Sequence, residues 1–327
     1  MTRWLIPALL LVLILTSGAS LLAGTLWLRP AEVLAALTHP GPDLAGLIVT
    51  EIRLPRLILA VLIGAILGLS GAVLQGLLRN PLAEPGLLGV SAGASLGAVI
   101  AIYYGFAASF TLATPLFGLV GGFVTAGLAL LLARSGGTLA LILAGAAVSS
   151  MAGAGVSLAL NLAPNPYAAY EIMTWLMGSL ADRSWDHVRL AAPLILVGGL
   201  LLAMTGRALD ALALGETQAE SLGIHVGRIR LLALLGTAMG VGAATAVAGA
   251  IGFVGLVAPH VVRPLVGHRP SATLLPAALA GAILVVTADI ATRVIRFGPE
   301  TKLGVLISVV GAPFFLWLVL HVRTRAP

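Results

Sequence analysis

Long apolar stretches, broken at short intervals by polar and proline-containing turns, organise this chain. Taking about 20 apolar residues as one bilayer crossing, the pattern predicts helices over 4–28, 56–78, 87–105, 110–133, 138–162, 190–206, 229–249, 252–265, 272–293 and 303–321, ten in all. The most informative interruption runs from Arg79 to Gly93, where Asn80, Pro81, Glu84 and Pro85 break the apolar pattern within a few residues. Proline fixes φ and disfavours helix in the residue before it, so one helix ends near Asn80 and the next begins only after Pro85. Backbone groups freed by such a break need partners or water, which puts the turn at a membrane surface or in a protein-lined cavity.

Composition makes the membrane assignment general. With 327 residues, 59% hydrophobic, 9% charged and a mean hydropathy of +1.09, the chain has too few charges to coat a soluble globule of this size. The expected fold class is an all-α polytopic membrane protein, with residues 1–327 forming a single transmembrane domain. The absence of cysteine excludes disulfides, iron–sulfur clusters and thiolate metal sites. Arg3, the following apolar run and Ser17-Gly18-Ala19-Ser20 admit a secretory signal, but the run continues to about Leu28, so an uncleaved first helix is expected.

An even number of crossings puts both termini on one side. Loops on that side hold ten arginines, Arg134 and Arg325 among them, against four acids; the opposite loops hold eight basic residues, Arg296 among them, against eight acids. Positive charge favours the cytoplasm, so both termini are expected there. Small residues are densest at Gly64, Gly68 and Gly71, at Gly89, Gly93 and Gly97, and from Gly236 and Gly240 to Gly255, spacings that suit helix packing faces.

Two polar stretches remain. The external one, about 163–189, carries Pro164, Tyr167, Tyr170, Trp175 and Trp185, as befits a membrane interface. The internal one runs from Gly206 to Arg230, where Leu212, Leu214, Leu222, Glu216 and Glu220 suit short amphipathic helices broken by Gly215 and Gly223. Composition leaves a partner-binding surface and an ordinary interfacial loop both open.

Together the ordered motifs resemble the FecCD or BtuC-like permease subunits of type II ABC importers for cobalamin, haem and ferric siderophores. The resemblance is carried by Arg53-Leu54-Pro55-Arg56, Ser70-Gly71-Ala72 with Gln75, Asn80-Pro81-Leu82-Ala83, Pro85-Gly86-Leu87-Leu88-Gly89 and Trp175-Leu176-Met177-Gly178-Ser179. It continues in Ala213-Leu214-Gly215-Glu216, Ala248-Gly249-Ala250-Ile251-Gly252-Phe253-Val254-Gly255-Leu256, Pro259-His260, Ala288-Asp289 and Gly311-Ala312-Pro313-Phe314-Phe315.

The resemblance implies a homodimer of ten-helix subunits in the bacterial inner membrane, with two ATP-binding subunits on the cytoplasmic side and a periplasmic substrate-binding protein outside; no nucleic-acid partner is implied. By the same resemblance, Arg53, Arg56 and Arg293 match positions that receive acidic residues of the binding protein, a task suited to the permanently charged, bidentate guanidinium. Snorkelling competes as a reading for all three, and pairing with Asp289, four residues earlier, competes for Arg293. Leu214, Gly215, Glu216, Ala219, Leu222 and Gly223 match coupling helices that seat in the ATPase. Asn80 and Leu82 match the cytoplasmic gate, the alternative being a rigid turn whose prolines fix helix geometry. The 163–189 stretch resembles the short helix near the mouth of the path, and Asp182-Arg183 departs from the small residues common there in relatives.

No cofactor is expected in the chain itself. A P-loop needs Gly-Lys followed by Ser or Thr, whereas the only lysine, Lys302, follows Thr301. ATP and magnesium are therefore expected in the partner ATPase, and this subunit is not expected to be an enzyme. Gly89-Val90-Ser91-Ala92-Gly93 fits G-x-S-x-G with His260 as an imaginable base, but in a membrane helix rather than the strand–turn–helix a nucleophile elbow requires. An ion-coupled secondary transporter is the stronger alternative, though such proteins keep ionisable groups near the midplane, and Asp289 lies near a helix end. Haem ranks first as substrate, with ferric siderophore or cobalamin next; the six scattered histidines form no metal-ligand constellation.

Overall fold

The structure, a computed structural model, describes residues 2–39, 41, 43–133, 136–295 and 301–323. Arg134, Arg296 and Arg325 of the charge count lie outside the described residues. Regular structure among the described residues is entirely helical. In chain order it comprises α1 (Thr2–Leu22), α2 (Pro30–Thr38), α3 (Leu44–Leu77), α4 (Val90–Tyr103), α5 (Ala113–Leu132), α6 (Thr138–Asn161) and α7 (Pro166–Leu176). There follow α8 (Trp185–Ala203), α9 (Gly206–Leu212), α10 (Glu216–Ser221), α11 (Val226–Ala248), α12 (Val254–Val262), α13 (Pro270–Val294) and α14 (Leu303–Arg323). A one-turn helix at Phe106–Ser109 joins α4 to α5, and 3-10 turns at Pro85–Leu88 and Arg263–Val266 precede α4 and extend α12.

Seven of these helices are long and apolar enough to cross a membrane, and three shorter apolar ones, Val90–Tyr103, Val254–Val266 and Leu303–Trp317, complete the ten elements predicted from the apolar pattern. Two boundaries differ most from that prediction. The first helix ends at Leu22 rather than near Leu28, because the chain turns away and starts α2 at Pro30, a residue that suits the first helical position. The backbone N–H of Arg29 donates to Glu32 Oε2 at 2.7 Å, closing the start of α2. The second helix begins at Leu44 rather than Arg56. A π-helical stretch over Ile48–Arg53 leads into Pro55, and the Leu54 N–H bonds back to Val49 O, so the ladder shifts register where proline offers no donor.

Glycine sets the packing at the centre. A Cβ at Gly64 or Gly68 of α3 would strike the backbone of Gly281 or Ala277 on α13, and one at Gly71 would strike Gly255 on α12. The same close approach joins Gly93 and Gly97 of α4 to Gly121 and Phe117 of α5, and Gly198 of α8 to Gly236 and Gly240 of α11. Gly89 behaves differently: at φ +78° it is a left-handed link between the Pro85–Leu88 turn and α4. α11 is buried in the middle of the bundle, while α1 lies at its periphery.

Candidate translocation and coupling sites

At one end of the bundle two of the three arginines expected to dock a binding protein, Arg53 and Arg293, reach the C-terminal end of α1, and the third, Arg56, joins them through Asp289 of α13. The last carbonyls of a helix have no intrahelical partner and carry the negative end of its dipole. Arg53, only 6% exposed, donates from Nη1 to Leu21 O and from Nη2 to Leu26 O. Arg293 donates from Nη1 to Ser20 O and Ala23 O, both at 2.9 Å, and from Nη2 to Ser20 Oγ at 2.6 Å. Asp289, fully buried on α13, links the set: Arg56 Nε lies 2.8 Å from its Oδ1 and Arg293 Nη2 3.0 Å from its Oδ2. The pairing of Arg293 with Asp289 suggested by their spacing is thus present, but within a triad that also holds Arg56. The structure shows these side chains fastening α1 to α3 and α13.

Beside this cluster lies the 163–189 stretch expected at the mouth of the path. Asn165 Oδ1 accepts the Ala168 N–H at 2.9 Å and Pro166 occupies the first helical position, so α7 starts sharply. After α7 the chain turns at Gly178, φ +70°, and wedges between two helices: the Ser179 N–H donates to Ala248 O at 2.7 Å, and Gly178 O accepts from the Gly304 N–H at 3.3 Å. A cavity of about 360 Å³ opens between α7, the turn after it and Lys302 at the start of α14. Arg183 lines it, a role that nothing in its local sequence signals.

The Asn80 turn is built into the protein. α3 ends at Leu77, Arg79 adopts φ +48°, and Asn80 Oδ1 accepts the Leu82 N–H at 2.9 Å, so the two expected gate residues share one Asx turn. Ala83, Pro85 and Leu88 are buried, with Gly145 of α6 pressed against Leu87 and Gly255 of α12 against Pro85. Desolvation pushes the half-buried Glu84 carboxyl above its ordinary range, opposed by a hydrogen bond from the Phe253 backbone. Next to the turn, Gln75 donates to Gly255 O at 3.3 Å and accepts from Arg263 Nη2, tying α3 to both ends of α12.

The expected coupling segment is the αα turn of α9 and α10. Leu209 and Leu212 face inward, whereas Leu214 and Leu222 are exposed, at 67% and 65%. Gly215 and Gly223, at φ +121° and +80°, allow the sharp entry to and exit from α10. Glu216 is held by Arg230 of α11, whose Nη2 lies 2.8 Å from both carboxylate oxygens. Ala219 is fully buried and accepts the Ile224 N–H at 3.0 Å. Two exposed leucines therefore flank a small helix fixed by a charged clamp to a central helix.

The features of the enzyme reading do not assemble. Ser91 accepts a hydrogen bond from Thr245 at 3.3 Å, and His260 packs edge-on against Phe314 at 5.8 Å.

The FecCD transport family matches residues 9–321. The hemin transport system permease protein HmuU of Yersinia pestis is 41% identical over 283 residues, 84% of each chain. The vitamin B12 import system permease protein BtuC of Vibrio vulnificus is 37% identical over 325 residues, 98% of this chain and 95% of that one. A solved metal-chelate type ABC transporter in an inward-facing conformation superposes with a TM-score of 0.85 at 31% identity, covering 98% of this chain and 99% of its own. The ion-coupled alternative finds no support among these relatives. The chain belongs to the FecCD transport family, with the fold of the BtuC-like permeases of type II ABC importers.

Proposed function

We propose that this chain is the membrane-spanning subunit of an ATP-driven importer that carries a bulky iron chelate or tetrapyrrole into the cytoplasm, with haem first and ferric siderophore or cobalamin next. The observation that carries the reading is the α9–α10 turn. Its exposed Leu214 and Leu222 offer an apolar surface to a partner, and the Glu216–Arg230 clamp joins that surface rigidly to α11. A motor subunit that moves α10 thereby moves the centre of the bundle. The chain has no P-loop, so ATP and magnesium belong to that separate subunit.

The rest of the assembly follows from the same reading. Two copies enclose the path, two ATP-binding subunits sit on the α10 side, and a binding protein delivers the substrate at the opposite mouth, with both termini in the cytoplasm. Support for a second copy comes from the apolar outer faces of α6 and α14, including Leu143, Met151, Val309 and Leu316, all well exposed. Among the docking arginines, Arg53 and Arg293 are turned toward α1, so Arg56, with its side chain 12% exposed, is the one through which docking is tested. Asn80 and Leu82 are proposed as the cytoplasmic gate because the Asx turn places them where α3 gives way to α4. Haem leads because the relative named for hemin transport is 41% identical, against 37–39% for those named for vitamin B12 import.

The test is uptake by the complex reconstituted in vesicles with its ATPase and binding protein, comparing haem, cobalamin and a ferric siderophore. Vanadate-sensitive uptake is expected. Uptake that collapses with an uncoupler while ATP persists would overturn the reading.

A further inference from the structure

The cavity at the external mouth has a charge arrangement that helix packing does not require. On its half-buried surface are Arg183 and Lys302, and neither has an ion-pair partner among the described residues. Arg183 Nε is fully shielded from solvent with no hydrogen-bond partner. A guanidinium N–H shielded from water and left without a partner costs free energy that the fold does not recover locally. Burial pushes the Arg183 guanidinium below its ordinary value; the neighbouring Asp182 charge opposes this and Arg56 adds to it. The acids of the cavity, Glu171 and Asp182, are exposed at its rim. Tyr170 and Trp175 supply an aromatic wall.

We propose that this cavity recognises a carboxylate of the transported chelate, with Arg183 and Lys302 as the anion-binding groups and the Trp175 and Tyr170 rings as the apolar wall against its planar body. The inference rests on the importer function proposed above and adds a substrate class: chelates bearing free carboxylates, in preference to those presenting only amides or hydroxamates. A small carboxylate passes the rim and reaches the recessed cations, where a planar fork gives it two charge-assisted bonds. The acidic face of a docking protein is excluded by the like charges of Glu171 and Asp182 at the rim.

The test uses the complete complex in vesicles and compares ATP-driven uptake of haem with that of haem dimethyl ester. In the wild type, KM for haem is expected to be lower than for the ester. Arg183→Gln, alone and with Lys302→Gln, is expected to raise KM for haem about tenfold while leaving the ester unchanged. Arg183→Lys should retain most of the wild-type preference, and elution profile and melting temperature verify that the variants fold. Equal handling of haem and ester by the wild type overturns the proposal, as do variants that impair both substrates alike or that instead weaken affinity for the binding protein. A wild-type complex that takes up cobalamin but not haem overturns it too, and leaves the importer function standing. A complex that takes up no chelate with ATP removes the importer function itself.

Discussion

Asp289 is a single carboxylate buried between two arginines that come from opposite ends of the sequence. Removing one partner of such a cluster leaves the others desolvated without compensation, a change typically worth about 3–5 kcal/mol. Asp289→Ala is therefore expected to lower the melting temperature of the purified protein markedly, and thermal unfolding in detergent measures it. Asp210 makes the opposite kind of pairing, at the surface. Burial acts to raise its carboxyl, but this is outweighed by hydrogen bonds from the Ser271 hydroxyl and backbone N–H and by Arg269, so the folded value lies below the ordinary range. A depressed acid stabilises the fold above its unfolded pKa and loses that contribution as pH falls through the folded one. Stability is expected to decline on acidification below the ordinary carboxylate range, and Asp210→Asn should flatten that limb of a pH–Tm profile. At the proposed gate, Asn80→Ala removes the acceptor that orders Leu82. It is expected to raise ATP hydrolysis without matching uptake; unchanged coupling in both Asn80→Ala and Leu82→Ala would leave only a rigid turn.

The spacing of glycines along each helix states that something comes close, and the fold states what. Gly71 meets the backbone of Gly255, which cannot rotate away as a side chain would. Gly71→Ala is thus expected to destabilise the α3–α12 contact by about 1–3 kcal/mol, read as a fall in melting temperature. The α9–α10 turn supplies the matching functional case. Glu216→Arg replaces a clamp with repulsion from Arg230, so ATP hydrolysis should continue while uptake falls severalfold. Full transport in that variant would remove the clamp from the coupling path. Local sequence did not disclose the π-helical stretch before Pro55, because Ile48-Val49-Thr50-Glu51-Ile52-Arg53 carries no residue type that tells a ladder closing over four residues from one closing over five.

For the whole molecule, ten membrane elements follow from apolar length alone, since any chain that crosses a bilayer must satisfy its backbone within helices or a closed barrel. The prolines of the Asn80 turn likewise fixed a break there, and the glycines of α9–α10 fixed its bends, because φ is constrained locally. The partners of the charges were not legible in this way. Arg53 and Arg293 reach carbonyls 32 and 273 residues away, and Arg183 shares its cavity with Lys302 across more than a hundred positions. A guanidinium at a helix end looks the same in sequence whether it waits for a protein, caps a neighbouring helix or lines a substrate cavity. What separates these fates is which orphaned carbonyl or carboxylate the packing of distant helices brings within hydrogen-bond reach, and that is settled only when the tertiary structure forms.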